Sequence, residues 1–195
     1  LPEAAKICGM RSSTSLALTA GLAICACVPE DEPPPPEVPP DVEYCAPVRD
    51  WDPEWSALEA EVLVLINEHR AAGAECGNDS FAPAEPLSMN PALRCAARIH
   101  ALDMGARDFF SNLDPDGLGV SDRAVAAGYE GTAVSQNIGA NHSTAAQLVE
   151  ATMGSTGLCA HLMDPEAEEL GVGFRPASGA SYASYWTQVF GKPAS

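Results

Sequence analysis

Four histidines, His69, His100, His142 and His161, are the side chains in this 195-residue chain best suited to act as bases or bind a transition metal near neutral pH. Their spacing matches no catalytic signature. Glu68-His69 stands without the pair of histidines, four residues apart, that would aim two imidazoles from one helix face at a zinc ion. Gly154-Ser155-Thr156-Gly157 sets its glycines too close together for a Gly-x-Ser-x-Gly nucleophile elbow. Asp114-Pro115-Asp116-Gly117 lacks the third acidic ligand and the closing glutamate of an EF-hand loop and predicts a tight turn instead.

The elements that must position any site are legible from periodicity. Ser56-Ala57-Leu58-Glu59 has the form of a capping box, and Leu58, Val62, Leu65, Ile66 and His69 follow at helical spacing up to Gly73. Asn90-Pro91 predicts an N-cap with proline at the first helical position, and Leu93, Ala96, Ala97, His100 and Met104 share one face of a helix reaching about Arg107. His100 on that face, like His69 on the first helix, is expected to be a buried structural imidazole. A short helix is expected over residues 121–127, ended by Gly128, and another capped by Ser143, with Ala145, Leu148, Val149 and Thr152 inward. Two aromatic and β-branched runs, residues 170–175 and 182–190, flank Pro176-Ala177-Ser178-Gly179 and predict an antiparallel hairpin with Trp186 and Phe190 in its core. Helices with a small sheet make an α+β domain.

The amino-terminal part points to export. From Met10, Arg11 and the apolar run of residues 15–26 have the pattern of a signal peptide, too short to span a bilayer. The run ends at Ala26-Cys27, which resembles a bacterial lipobox, so residues 1–27 are expected to be a leader with lipid carried on Cys27. Residues 28–54, rich in proline and acid, are expected to be an extended tether, and residues 55–195 the domain. About half of the formal charge of −17 lies there: residues 28–56 hold nine acidic side chains against Arg49 alone. With no basic stripe, nucleic acid is excluded as a partner. Outside the leader, Cys45, Cys76, Cys95 and Cys159 form an even set suited to an oxidising compartment, hence two disulfides. Three pairings are open. Closure of a short proline-rich loop favours Cys76 with Cys95, leaving Cys45 with Cys159.

Eight short words in order then define a resemblance. They are Asn67-Glu68-His69-Arg70, His100-Ala101-Leu102-Asp103-Met104, Phe109-Phe110-Ser111-Asn112 with Pro115-Asp116-Gly117, and Ala127-Gly128-Tyr129. Gln136-Asn137-Ile138, Gly157-Leu158-Cys159-Ala160-His161-Leu162-Met163, Leu170-Gly171-Val172-Gly173 and Tyr185-Trp186-Thr187-Gln188-Val189-Phe190-Gly191 complete the set. Together they resemble the bacterial branch of the CAP (SCP-like) superfamily, which implies a three-layer α-β-α sandwich. The resemblance also implies a cleft in which histidines and glutamates can hold a divalent cation such as zinc. At the matching positions this chain has Asn112 for histidine, Gln136 for glutamate and Leu158 for histidine, so zinc or calcium is not expected as a cofactor. His161, His142 and Glu150 lie in the same segments and are the polar residues that could substitute. His142 is expected in a polar loop and Glu150 on a solvated helix face, and His161, where relatives often carry asparagine, is expected to hydrogen-bond structurally.

The resulting expectation is a tethered or secreted protein of the bacterial cell envelope, with a binding rather than a catalytic role toward a lipid, glycan or protein. The alternative is a peptidase-like hydrolase or a metal site rebuilt in the cleft.

Overall fold

The computed structural model describes residues 39–194; the expected leader, Cys27 and the first part of the tether lie outside them. The domain begins earlier than Trp55. A 3-10 helix, Glu43–Val48, buries Cys45 and Val48, so the last stretch of the expected tether belongs to the folded unit. Helix α1 spans Pro53–Ala72, and its N-cap is Asp52, whose side chain accepts from the Glu54 N–H, with proline in the first turn. This corrects the capping box at Ser56. Glu59 instead points inward and is fully buried.

A two-stranded hairpin follows, β1 (Ala74–Cys76) and β2 (Asp79–Phe81), turning through Gly77 at φ 68°. Strand β3 is Ser88–Met89, and helix α2 is Pro91–Arg107. As expected, Asn90 caps α2, its side chain accepting from the Ala92 and Leu93 N–H groups. Then come α3 (Val120–Ala126), β4 (Thr132–Ala140), α4 (Ala145–Met153, capped by Thr144 rather than Ser143), α5 (Thr156–Met163), β5 (Glu169–Pro176) and β6 (Ser184–Lys192). The strand β4 and the first hairpin were not foreseen: Gly, Ser, Gln and Asn break up the β-branched pattern that marks a strand.

The main sheet has the order β3-β5-β6-β4, with β3 parallel to β5 and the other pairs antiparallel. The expected hairpin forms its centre, Gly171 facing Val189 and Phe174 facing Trp186. Period 2 on β5 and β6 sends Val172, Phe174, Trp186 and Phe190 to one face, against Val62 and Ile66 of α1 and Leu148 and Val149 of α4. Val189 turns to the other face, against Leu93, Ala96 and Ala97 of α2. The result is the three-layer α-β-α sandwich. A Cβ at Gly171 or Gly173 would strike the α2 backbone at Leu93 or Ala97, so these two glycines set the helix-to-sheet distance on that side.

The two disulfides form, with a different connectivity. Cys45 bonds Cys95 and Cys76 bonds Cys159, which corrects the expected Cys76–Cys95 and Cys45–Cys159. The 3-10 helix lies on α2 and delivers Cys45 to Cys95, while β1 leaves the end of α1 toward α5 and delivers Cys76 to Cys159.

Candidate functional site

Strand β4 is the last strand of the sheet, and beside it lies a cleft of about 440 Å³ lined by Asn112, Leu113, residues 119–122, Ser135, Gln136 and His161. Three elements build it: the loop after α2 with the start of α3, the strand β4, and α5. Of the residues singled out from the sequence, Asn112, Gln136 and His161 come together here. Leu158 contributes its backbone carbonyl, which accepts from Asn137 Nδ2 at 3.1 Å, while its side chain is only half-buried. His142 and Glu150 are not among the lining residues. The His142 carbonyl accepts from Trp186 Nε1 and Ser184 Oγ, fixing the loop after β4, and Glu150 is exposed on α4, in keeping with its expected solvated face.

On one wall, Gln136 Nε2 donates to Asn112 Oδ1 at 3.0 Å, and Gln136 Oε1 accepts from Arg123 at 2.9 Å. Arg123 is 3% exposed and also donates to the Leu118 and Asn112 carbonyls. Burial pushes its pKa down, and among the described residues no carboxylate lies within ion-pair distance of it. Its Nε, like Ser135 Oγ in the cleft lining, is buried without a hydrogen-bond partner among the described residues. On the other wall, His161 Nδ1 lies 2.7 Å from Asn137 Oδ1, and Asn137 Nδ2 also faces Gln188 Oε1 at 3.3 Å. Burial lowers the His161 pKa, with Asp164 opposing.

Sequence reasoning missed Arg123, Ser135 and Asn137 as site residues. Asn137 was visible inside a matched word without a role, but an inward-facing arginine in a short helix leaves no periodic signal.

His100 and His69 do not line this cleft. His100 is fully buried, its Nε2 2.9 Å from the Ser111 carbonyl, and burial, reinforced by Arg123, pushes its pKa down to about 4. His69 is half-buried on α1. A larger groove of about 640 Å³ lies between Trp51, Trp55, Leu102 and Arg175. Its aromatic surfaces are already engaged: Trp51 donates to Glu59, Arg98 lies over the Trp51 ring and Arg175 over that of Trp55.

The donors in the cleft do not suit a divalent cation. One imidazole stands beside two carboxamides whose oxygens are taken by Arg123 and by each other, and a buried guanidinium lies behind them. Asp122, the one carboxylate in the lining, caps Gly119 N–H at 2.8 Å. Among the described residues, no three His, Cys, Asp or Glu side chains gather to hold a metal.

With fold and cleft established, residues 63–190 match the CAP (cysteine-rich secretory protein) family, and the chain belongs to it. One similar curated protein is "Uncharacterized protein YkwD" of Bacillus subtilis, 26% identical over 135 residues, which cover 69% of this chain and 47% of that protein. The chain thus spans about half the length of that relative. Among solved structures, an extracellular SCP-domain protein of Bacillus anthracis superposes with TM-score 0.59 at 20% identity, covering 72% of this chain and 44% of that one. An outer surface protein of Borrelia burgdorferi gives 0.55 at 13% identity, covering 71% and 91% respectively. A cysteine-rich secretory protein of Staphylococcus aureus gives 0.51 at 16%, covering 72% and 40%. Similarity at these identities shows a shared fold.

Proposed function

We propose that this chain is an exported bacterial envelope protein, tethered through lipid on Cys27, whose CAP domain binds a ligand in its cleft without a metal and without turnover. The observation that carries the reading is the Arg123–Gln136–Asn112 chain. Two positions where the family can place metal ligands hold carboxamides locked to each other and to a buried guanidinium. A cation there would meet a positive charge behind it, and the carboxylate in the lining, Asp122, is engaged in capping the Gly119 N–H. Export is supported by the leader pattern, by two disulfides, and by neighbours in fold that are described as extracellular or outer surface proteins. Among the described residues no helix is long and apolar enough to cross a membrane; the tether reading places attachment at Cys27.

Elemental analysis and calorimetric titration with zinc and calcium test the site. No stoichiometric metal is expected, and tight one-to-one zinc binding would overturn the reading. Palmitate labelling that survives Cys27→Ser would overturn the anchor.

A hydrolase is the second reading, favoured by one feature. His161 is oriented by Asn137 as a general base can be by a carboxamide, and Ser135 shares the cleft. No hydrogen bond joins Ser135 Oγ to the imidazole. Turnover of a peptide library that is abolished by His161→Ala would move this reading to the front.

A further inference from the structure

Two hydrogen-bond relays run to the cleft, each fixed in sense at its far end by a group that can act in only one way. A guanidinium has donors and no acceptor, so the Gln136 atom facing Arg123 at 2.9 Å is the carbonyl Oε1. Its Nε2 then meets Asn112 Oδ1 at 3.0 Å. Asn112 is left with its Nδ2, a donor, unengaged among the described residues. On the opposite wall a backbone carbonyl can only accept, so the Asn137 atom 3.1 Å from the Leu158 oxygen is Nδ2. Asn137 Oδ1 therefore meets His161 Nδ1 at 2.7 Å, and the imidazole must carry its proton there. Neutral His161 keeps a bare lone pair on Nε2.

The cleft thus offers one fixed donor, Asn112 Nδ2, and one fixed acceptor, His161 Nε2, from two residues that both line it. Ser121, Asp122 and Ser135 add polar groups, of which Ser135 Oγ is buried and unpartnered, and Leu113 adds apolar surface. We infer that this cleft takes the acetamido group of an N-acetylated amino sugar, a deepening that rests on the binding reading above. The amide oxygen accepts from Asn112 Nδ2 and the amide N–H donates to His161 Nε2. The methyl lies on Leu113, and ring hydroxyls meet Ser121 and Asp122 at the start of α3. A carboxylate offers acceptors only and is refused by the His161 lone pair. The acidic character of the chain, −17 overall, opposes it as well. A peptide amide would satisfy the same pair but would bring no ring hydroxyls for Ser121 and Asp122.

The test titrates the full chain with tri-N-acetylchitotriose, its fully deacetylated counterpart and cellotriose, by calorimetry and by nitrogen-edited NMR of side-chain amides and imidazoles. The acetylated sugar should bind at least about tenfold more tightly than cellotriose, and than the cationic deacetylated sugar once salt screens its attraction to the acidic chain, the cost of leaving one or two hydrogen-bonding groups unpaired. Its binding should shift the Asn112 amide and His161 ring signals. Asn112→Asp keeps the shape and replaces the free donor with an acceptor; it should lose about tenfold or more in affinity for the acetylated sugar. Equal binding of all three sugars would overturn the inference, as would failure of the acetylated sugar to bind at millimolar concentration. N-acetylalanine methylamide binding as tightly as the sugar would also overturn it. Zinc run in the same calorimeter separates the two levels: tight zinc binding removes the binding reading itself, whereas no zinc and no sugar removes only the acetamido assignment.

Discussion

At the scale of single residues, His100 is a group whose protonation the fold opposes. Its Nε2 donates to the Ser111 carbonyl, the rest of the ring is enclosed, and its pKa falls from the ordinary 6.5 to about 4. The unfolded chain therefore takes up this proton first as pH drops. The associated stability is intact above pH 6.5, is lost between there and about pH 4, and changes no further below. The loss amounts to about 3 kcal/mol. Urea midpoints measured across that window should fall for the native chain and fall distinctly less for His100→Gln; parallel curves would show that the imidazole is not the titrating group. The words that carried the family resemblance also resolve into structural duties at this scale. Asn67 brackets Leu87, accepting from its N–H and donating to its carbonyl, and Arg70 donates to the carbonyls of Glu85, Leu162, Asp164 and Ala167. Those residue types were legible in the sequence. Their partners, up to 97 positions away, were not.

Between elements, Glu59 is a polar clamp. It is fully buried on α1 and accepts from Arg94 and Arg98 of α2, from Trp51 Nε1 and from the Phe174 N–H of β5. One carboxylate thereby ties two helices and a central strand across the edge of the sandwich. Glu59→Ala leaves buried guanidinium groups without their counter-charge and should cost roughly 3–5 kcal/mol in denaturant unfolding. A loss under about 1 kcal/mol would mean that water reaches the pair, as at a surface bridge. The second constraint between elements is steric. Because α2 touches β5 through Gly171 and Gly173, either one changed to alanine must push helix from sheet. Gly173→Ala should lower the melting temperature sharply, while Gly179→Ala, at a loop position with open space around it but φ of 87°, should cost only about 1 kcal/mol from backbone strain. Equal effects would contradict the close approach of α2.

For the whole molecule, the disulfides tie chain segments that are distant in sequence. Cys45–Cys95 spans 50 residues and Cys76–Cys159 spans 83. By loop-closure entropy each contributes about 4 kcal/mol against the unfolded chain. Non-reducing peptide mapping should recover these two pairs, and a Cys76–Cys95 peptide would refute the connectivity. The Cys45 bond also ties residues before Trp55 into the folded unit. It holds the 3-10 helix Glu43–Val48 on α2, so a truncation starting at Trp55 removes Cys45, Val48 and Trp51 from the core and should be markedly less stable than one starting at Pro39.

The sequence by itself determined the helices whose caps and apolar faces are local, the hairpin of β5 and β6, the α+β class and the family. Each of these is written in spacing over a few residues. Through the family resemblance it also carries the expectation that Asn112, Gln136 and Leu158 stand where the family can place metal ligands. Tertiary structure decided what those positions do, because their partners come from other elements. Arg123 arrives from α3 to fix Gln136, Asn137 from β4 to fix the His161 tautomer, and packing of the 3-10 helix on α2 chooses Cys95 for Cys45. Strand β4 belongs to this second group. Its polar residues form a strand because β6 supplies the hydrogen bonds along one edge, and pairing of that kind is settled by the neighbouring strand rather than by the residues' own preferences.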